Sequence, residues 1–136
     1  MSIDIFYFSN YSGNTKRFIE KVDDGTFNIT RIPISMPDSD LCPIATGPFI
    51  LFVPTYGGGS DGHAIPRQVR RFLNIPENRN LIQGVIGLGN INFGEHYCKA
   101  ADMISKKAGV PVLAKVEIFG TEEDVSEIRK RLKHYG

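Results

Sequence analysis

Thiols are scarce in this chain: Cys42 and Cys98 are its only 2 cysteines, far apart and without CxxC or Cys/His spacing. That argues against a disulfide scaffold or a zinc site and suits a reducing cytosol. Excess charge of one sign is missing too. Its 16 basic and 15 acidic residues leave a formal net charge of +1, so no polyanion-binding surface is implied and nucleic acid is not an expected partner. Long apolar runs are also absent. Phe49-Ile50-Leu51-Phe52-Val53 is far below the roughly 20 residues that cross a bilayer, and the N-terminus has no basic-then-apolar signal. A soluble, cytoplasmic protein with no membrane partner is expected. Two phosphate-loop motifs are lacking as well: there is no GxxxxGK[ST], and no GxGxxG after the first apolar run, which weakens ATPase and Rossmann dinucleotide readings.

What the chain does have is a core-sized apolar content, 41% of 136 residues, enough for one compact domain spanning 1–136. Near its start, the apolar run Phe6-Tyr7-Phe8 leads directly into Ser9-Asn10-Tyr11-Ser12-Gly13-Asn14-Thr15, after which Phe18, Ile19 and Val22 fall on one helical stripe. A strand, a hydroxyl-rich turn and a helix in that order form an anion site. Amides at a helix start have no intrahelical partner, the helix dipole adds positive potential, and glycine lets the backbone come close. A single helix cap needs one such polar residue, and this turn has five.

Further along, Phe27 to Ile32 reads as an edge or second strand that stops at Pro33, and Phe49 to Val53 as a buried strand ending at Pro54. An irregular loop from Thr55 to Gly62 follows. Ile65, Val69, Phe72 and Leu73 stripe a helix that begins at Pro66 and stops near Pro76. Leu81 to Leu88 gives a fourth strand, Gly89 to Gly94 a second special loop, and Tyr97 to Ala108 a helix ending at Gly109. Val112 to Phe119 makes a last strand, and Thr121 three residues before Asp124 caps a final helix. This alternation argues for an α/β fold: a doubly wound, five-stranded parallel sheet of order 2-1-3-4-5 with helices on both faces, ligands lying beyond the carboxyl ends of the strands. The three unusual loops all fall at that edge.

The anion turn holds neither the cysteine nor the arginine of a tyrosine-phosphatase loop, so phosphate is held there and not attacked. A ligand with one phosphate and a flat body between the two later loops fits, and flavin mononucleotide (FMN) has that shape. Tyr56 and Phe93, one in each loop, are placed to cover a ring by offset stacking. Gly57-Gly58-Gly59 supplies backbone that can approach the ring and turn with redox state.

These residues resemble the NrdI family, flavodoxin-like proteins that serve class Ib ribonucleotide reductases. The resemblance rests on Ser9 to Phe18, on Val53-Pro54-Thr55-Tyr56-Gly57-Gly58-Gly59, on Ile65-Pro66-Arg67-Gln68-Val69, on Gly84-Val85-Ile86, on Gly89-Asn90-Ile91-Asn92-Phe93-Gly94 and on Phe119-Gly120-Thr121. It implies bound FMN, a flavin reductant, and a partner, the radical-bearing small subunit NrdF. In that family the reduced flavin converts O2 to a superoxide- or peroxide-type oxidant that reaches the metal site of NrdF and leads to a radical. The near-neutral charge is compatible with this, since a strongly acidic flavodoxin destabilises an anionic reduced flavin.

On this reading Ser9, Asn10, Tyr11, Ser12, Asn14 and Thr15 serve the phosphate, with Gly13 opening the backbone. Tyr56 and Phe93 contact the ring, and Thr55, Gly57, Gly58, Gly89, Asn90 and Gly94 make backbone or edge contacts. No catalytic side chain and no metal ligand is expected; His63 and His96 read as solvated groups beside the loops. Arg67, Arg70, Arg71 and Arg79 form either a docking face or a solvated helix side, as do Arg129, Lys130, Arg131 and Lys133. Cys98 reads as a packed or surface thiol rather than a redox centre. Two rivals stay open: a general one-electron-carrier flavodoxin, and a flavin-free interaction module on the same fold.

Overall fold

The computed structural model describes residues 3–9, 13–34, 42–55, 64–89, 98–117 and 120–134. Within them the chain runs β1 (Asp4–Phe8), α1 (Asn14–Val22), β2 (Asn28–Ile32), β3 (Phe49–Pro54), α2 (Arg67–Asn74), α3 (Pro76–Leu81), β4 (Ile82–Gly89), α4 (Lys99–Ala108), β5 (Val112–Glu117) and α5 (Glu122–His134). The strands form one sheet in the order β2-β1-β3-β4-β5, and every pair is parallel. This is the expected order, and β2 is an edge strand.

Strand periodicity decides which helix goes where. Along β1 and β3, Ile5, Tyr7, Ile50 and Phe52 point to one face, where they meet α1 and α5 through Phe18, Ile19, Val22, Val125, Ile128 and Leu132. Phe6, Phe8, Phe49, Leu51 and Val53 point to the other, against Val69 and Phe72 of α2 and Ala100, Ala101 and Ile104 of α4. Both faces are covered, which is why β3 reads as a continuous apolar run rather than an alternating one. Three rings knit the second layer together: Phe6 lies 5.0 Å from Phe49 and 5.0 Å from Phe72, and Phe49 lies 5.5 Å from Phe72.

Close approach of α4 to the sheet depends on Gly87 in β4. A Cβ there would sit 2.8 Å from Cβ of Ala101 and 2.9 Å from Cβ of Cys98, so the side chains of these two residues fill the space that any side chain at position 87 would need. At the other face α5 holds the end of α1. Arg129 donates from Nε to the Val22 carbonyl at 2.9 Å and from Nη2 to the Lys21 carbonyl at 2.6 Å, which satisfies carbonyls that the helix terminus leaves without an amide. Thr121 and Asp124 form the expected capping box: the Asp124 amide donates to Thr121 Oγ1 at 3.1 Å, and the Thr121 amide to Asp124 Oδ2 at 2.9 Å.

Pro76, which ends α2, also opens the short α3, an element the apolar pattern does not announce. Asn78 within it is wholly buried. It accepts the Ala45 amide at 2.7 Å and donates to the carbonyls of Pro43 at 3.0 Å and Phe72 at 2.9 Å. One side chain thereby fastens the β2–β3 link to α2 and α3, closing backbone groups that would otherwise be buried without partners. At the sheet's far edge β5 ends at Glu117, short of the expected Phe119, and residues 118 and 119 lie outside the described residues.

Candidate functional site

Strand register sets the site's floor. Tyr7 pairs with Phe52 and Pro54 with Leu88, so Ser9, Thr55 and Gly89, each next to or at the end of its strand, come together at the carboxyl edge of β1, β3 and β4. This is the point in the sheet from which β1 and β3 lead off in opposite directions, where open α/β sheets leave a crevice.

Ser9 is fully buried, and its Oγ accepts the Lys16 amide at 3.2 Å. Its carbonyl accepts from Arg31 Nη2 at 3.0 Å. The turn is thus pinned at its first residue both by the helix it opens and by the neighbouring strand β2. At the other end of the turn Gly13 has φ 74° and ψ 14°, the left-handed conformation that glycine adopts without strain. Its carbonyl accepts the Arg17 amide at 3.0 Å, the first bond of the α1 ladder. The amides of Asn14 and Thr15 precede that bond and have no i−4 carbonyl to meet. Thr15 is buried, 3% exposed, while Asn14 accepts from Arg17 Nη1 at 2.9 Å, which holds a guanidinium beside the turn. Together these features make an electropositive helix start with a buried hydroxyl, suited to a phosphate-sized anion.

At the second loop Thr55 has a task within the fold: its Oγ1 accepts the Ala100 amide at 3.0 Å and so caps the start of α4 from another strand. Cys98 precedes that helix with φ 55°, the sole non-glycine residue of positive φ among the described residues, and it is completely buried. It is the packed thiol of the two expected readings, under β4 at Gly87. Gly89, also buried, ends β4 opposite Glu117 of β5. Asn10, Tyr11 and Ser12, expected at a phosphate, and Tyr56, Gly57, Gly58, Asn90, Phe93 and Gly94, expected at a flavin ring, lie outside the described residues, as do His63 and His96.

Sequence reasoning missed Arg31. Nothing in its strand marks it, because its contact with Ser9 depends on the β1–β2 register that pairs it with Tyr7. Burial pushes the Tyr7 phenol above its ordinary value, with nearby Arg31 opposing and Glu20 adding to the shift. Among the described residues no group of three or more His, Cys, Asp or Glu is placed to hold a metal ion, and no helix is long and apolar enough to cross a membrane.

A family model described as "NrdI Flavodoxin like" matches residues 6–130. The chain belongs to the NrdI flavodoxin-like family. Curated NrdI relatives agree over nearly the whole length. One from Photorhabdus laumondii is 48% identical over 131 residues, covering 96% of this chain and 90% of the relative. One from Agrobacterium fabrum is 44% identical over 131 residues, covering 96% of each. Solved structures share the fold at much lower identity. Two-electron reduced Megasphaera elsdenii flavodoxin aligns with TM-score 0.64 and 14% identity, covering 97% of this chain and 99% of that one. Oxidised flavodoxin 1 from Bacillus cereus aligns with TM-score 0.58 and 20% identity, covering 96% and 94%. The start of α1 therefore lies on a flavodoxin-like sheet, at the edge where the strand order reverses.

Proposed function

We propose that this protein binds FMN at the carboxyl edge of β1, β3 and β4. In its reduced form it reacts with O2 to supply a superoxide- or peroxide-type oxidant, or electrons, to the small subunit NrdF of a class Ib ribonucleotide reductase for assembly of its radical cofactor. The observation that carries this reading is the chain-long likeness to NrdI proteins, 44–48% over 96% of the chain, found together with an anion-suited start to α1. The residues present fit a phosphate ester. Asn14 and Thr15 offer amides ahead of the helical ladder, Thr15 a buried hydroxyl, and Gly13 a left-handed backbone with no Cβ in the way. Ser9, whose Oγ accepts the Lys16 amide, holds the first residue of the turn against the helix start.

When bound, the flavin supplies the redox chemistry, taking electrons from a separate reductant and giving them to O2. The protein's part is binding, orientation and field. Arg17 and Arg31 bring positive charge to the turn, and the near-neutral chain, with a net charge of +1, puts little electrostatic penalty on an added electron pair. Tyr56 and Phe93 are assigned to the ring and Thr55, Gly57, Gly58, Gly89, Asn90 and Gly94 to its edges, on the strength of the family's loop sequences. Asn10, Tyr11 and Ser12 complete the phosphate set on the same ground.

Equilibrium titration of the apoprotein with FMN and with riboflavin tests the assignment. Thr15→Val should weaken FMN binding about 10- to 100-fold, the loss of a hydrogen bond to a charged group worth about 1.5–3 kcal/mol, and leave riboflavin binding unaltered. Equal affinities for FMN and riboflavin, with no effect of Thr15→Val on either, would overturn it.

A further inference from the structure

On the face of the sheet that carries α2, α3 and α4, the helices leave between them a groove of about 300 Å3. Its floor is aliphatic: Ile65 and Ile104 are buried and Leu73 half-buried. Around it stand Arg70, Arg79 and Lys107, all exposed. No carboxylate is among the described residues that line it. Elsewhere on the surface cations meet carboxylates, as Lys115 does Asp102 at 2.8 Å and Lys133 Asp24 at 2.9 Å. We propose that this groove is a docking site for an acidic amphipathic segment of a protein partner, whose aliphatic side chains fill the floor and whose carboxylates meet the three cations.

The chemistry narrows the occupant. Complementing the helix dipole accounts for Lys107 in the last turn of α4 but not for Arg70 midway along α2. A nucleic acid would satisfy the cations but would find no aromatic platform for its bases, since no aromatic side chain is among the described residues that line the groove. A fatty acid would fill the floor but brings one carboxylate to three cations. A peptide with carboxylates on both sides of an apolar stripe satisfies all of the groove at once, in the manner of a helix or extended segment laid in a groove. Arg79 in α3 and Lys107 at the end of α4 lie toward the amino edge of the sheet, opposite the phosphate turn. An occupant here leaves the carboxyl edge open, so the same partner can reach that edge with another part of its surface, an arrangement that raises the effective concentration of the second contact. This inference does not depend on the identity of the cofactor.

The test is fluorescence anisotropy of the full chain with a fluorescein-labelled peptide of repeated Glu-Glu-Leu-Leu blocks. The comparison peptides have Lys in place of Glu or Ser in place of Leu. The acidic amphipathic peptide should bind, with affinity falling as salt rises. Both comparison peptides should bind at least about tenfold more weakly, and the double variant R70E/K107E should lose at least about tenfold while keeping the wild-type circular dichroism. L73Q, which leaves the rim charges in place, should weaken the peptide through the floor. The proposal is overturned if the acidic peptide does not bind, if R70E/K107E binds it unchanged, if the Lys peptide binds as well, or if decanoate displaces the peptide and saturates the groove alone. It is overturned equally if sedimentation shows wild-type dimers that R70E/K107E dissolves, which would make the occupant a second copy of this chain.

Discussion

The hydroxyl oxygen of Thr55 accepts the amide of Ala100 at 3.0 Å, so the residue that follows β3 caps the helix that follows β4. The residue that opens the first loop assigned to the flavin ring is therefore tied to the helix that follows the second. Thr55→Val keeps the shape and removes the acceptor, and should destabilise the fold by about 1 kcal/mol, the usual worth of a helix cap. Thr55→Ser should restore most of it. Urea midpoints of the three proteins check this; equal midpoints for Thr55 and Thr55→Val would mean that the cap contributes nothing.

Asn78 closes three backbone groups from Ala45, Pro43 and Phe72 in the interior. Asn78→Leu should cost about 2–4 kcal/mol, because each polar group left buried without a partner is worth about 1–3 kcal/mol and relaxation recovers part of the loss. The β2–β3 link should loosen with it, seen as faster amide exchange at Ala45. Unchanged exchange there would show that the link is held by something else.

Asp24 in the α1–β2 turn accepts from Thr26 and pairs with Lys133 of α5, and these hydrogen bonds, those from Thr26 foremost, hold its carboxyl well below the ordinary carboxylate value. The unfolded chain thus takes up a proton at Asp24 at higher pH than the native one. The stabilisation is complete above the unfolded carboxylate value and is lost as pH falls through the depressed native one. Wild type should lose stability below about pH 4 more steeply than Asp24→Asn. Parallel acid limbs in the two denaturation curves would contradict the linkage.

Much of this was legible because local chemistry and global position coincide. The apolar run Phe49 to Val53 could only be a strand covered on both faces, and the polar turn after Phe8 only a helix start; those two facts, with the strand–helix alternation, already imply the sheet order found. Thr121 and Asp124 announced a capping box by spacing alone. What was not legible depends on contacts between residues distant in sequence. Asn78 reads as a surface residue until Pro43 and Ala45 are brought to it. Arg31 touches Ser9 only through a β1–β2 register, and the cap that Thr55 provides belongs to a helix 45 residues away. Pro76 marks both an end and a beginning, since proline suits the first turn of a helix as well as the stop of the one before it. Of the candidate site, the pinned start and end of the phosphate turn are in view at Ser9, Gly13, Asn14 and Thr15, whereas the ring assignments rest on the family's loop sequences.

The most direct test of the account is electron paramagnetic resonance of the cognate NrdF, loaded with metal and mixed with the FMN-loaded, pre-reduced protein and O2. A tyrosyl radical signal should appear only when all three are present, and should fall when Thr15→Val has lowered FMN occupancy. Wild-type protein that holds FMN, consumes O2 and still yields no radical in NrdF, while passing electrons to unrelated acceptors, would contradict it.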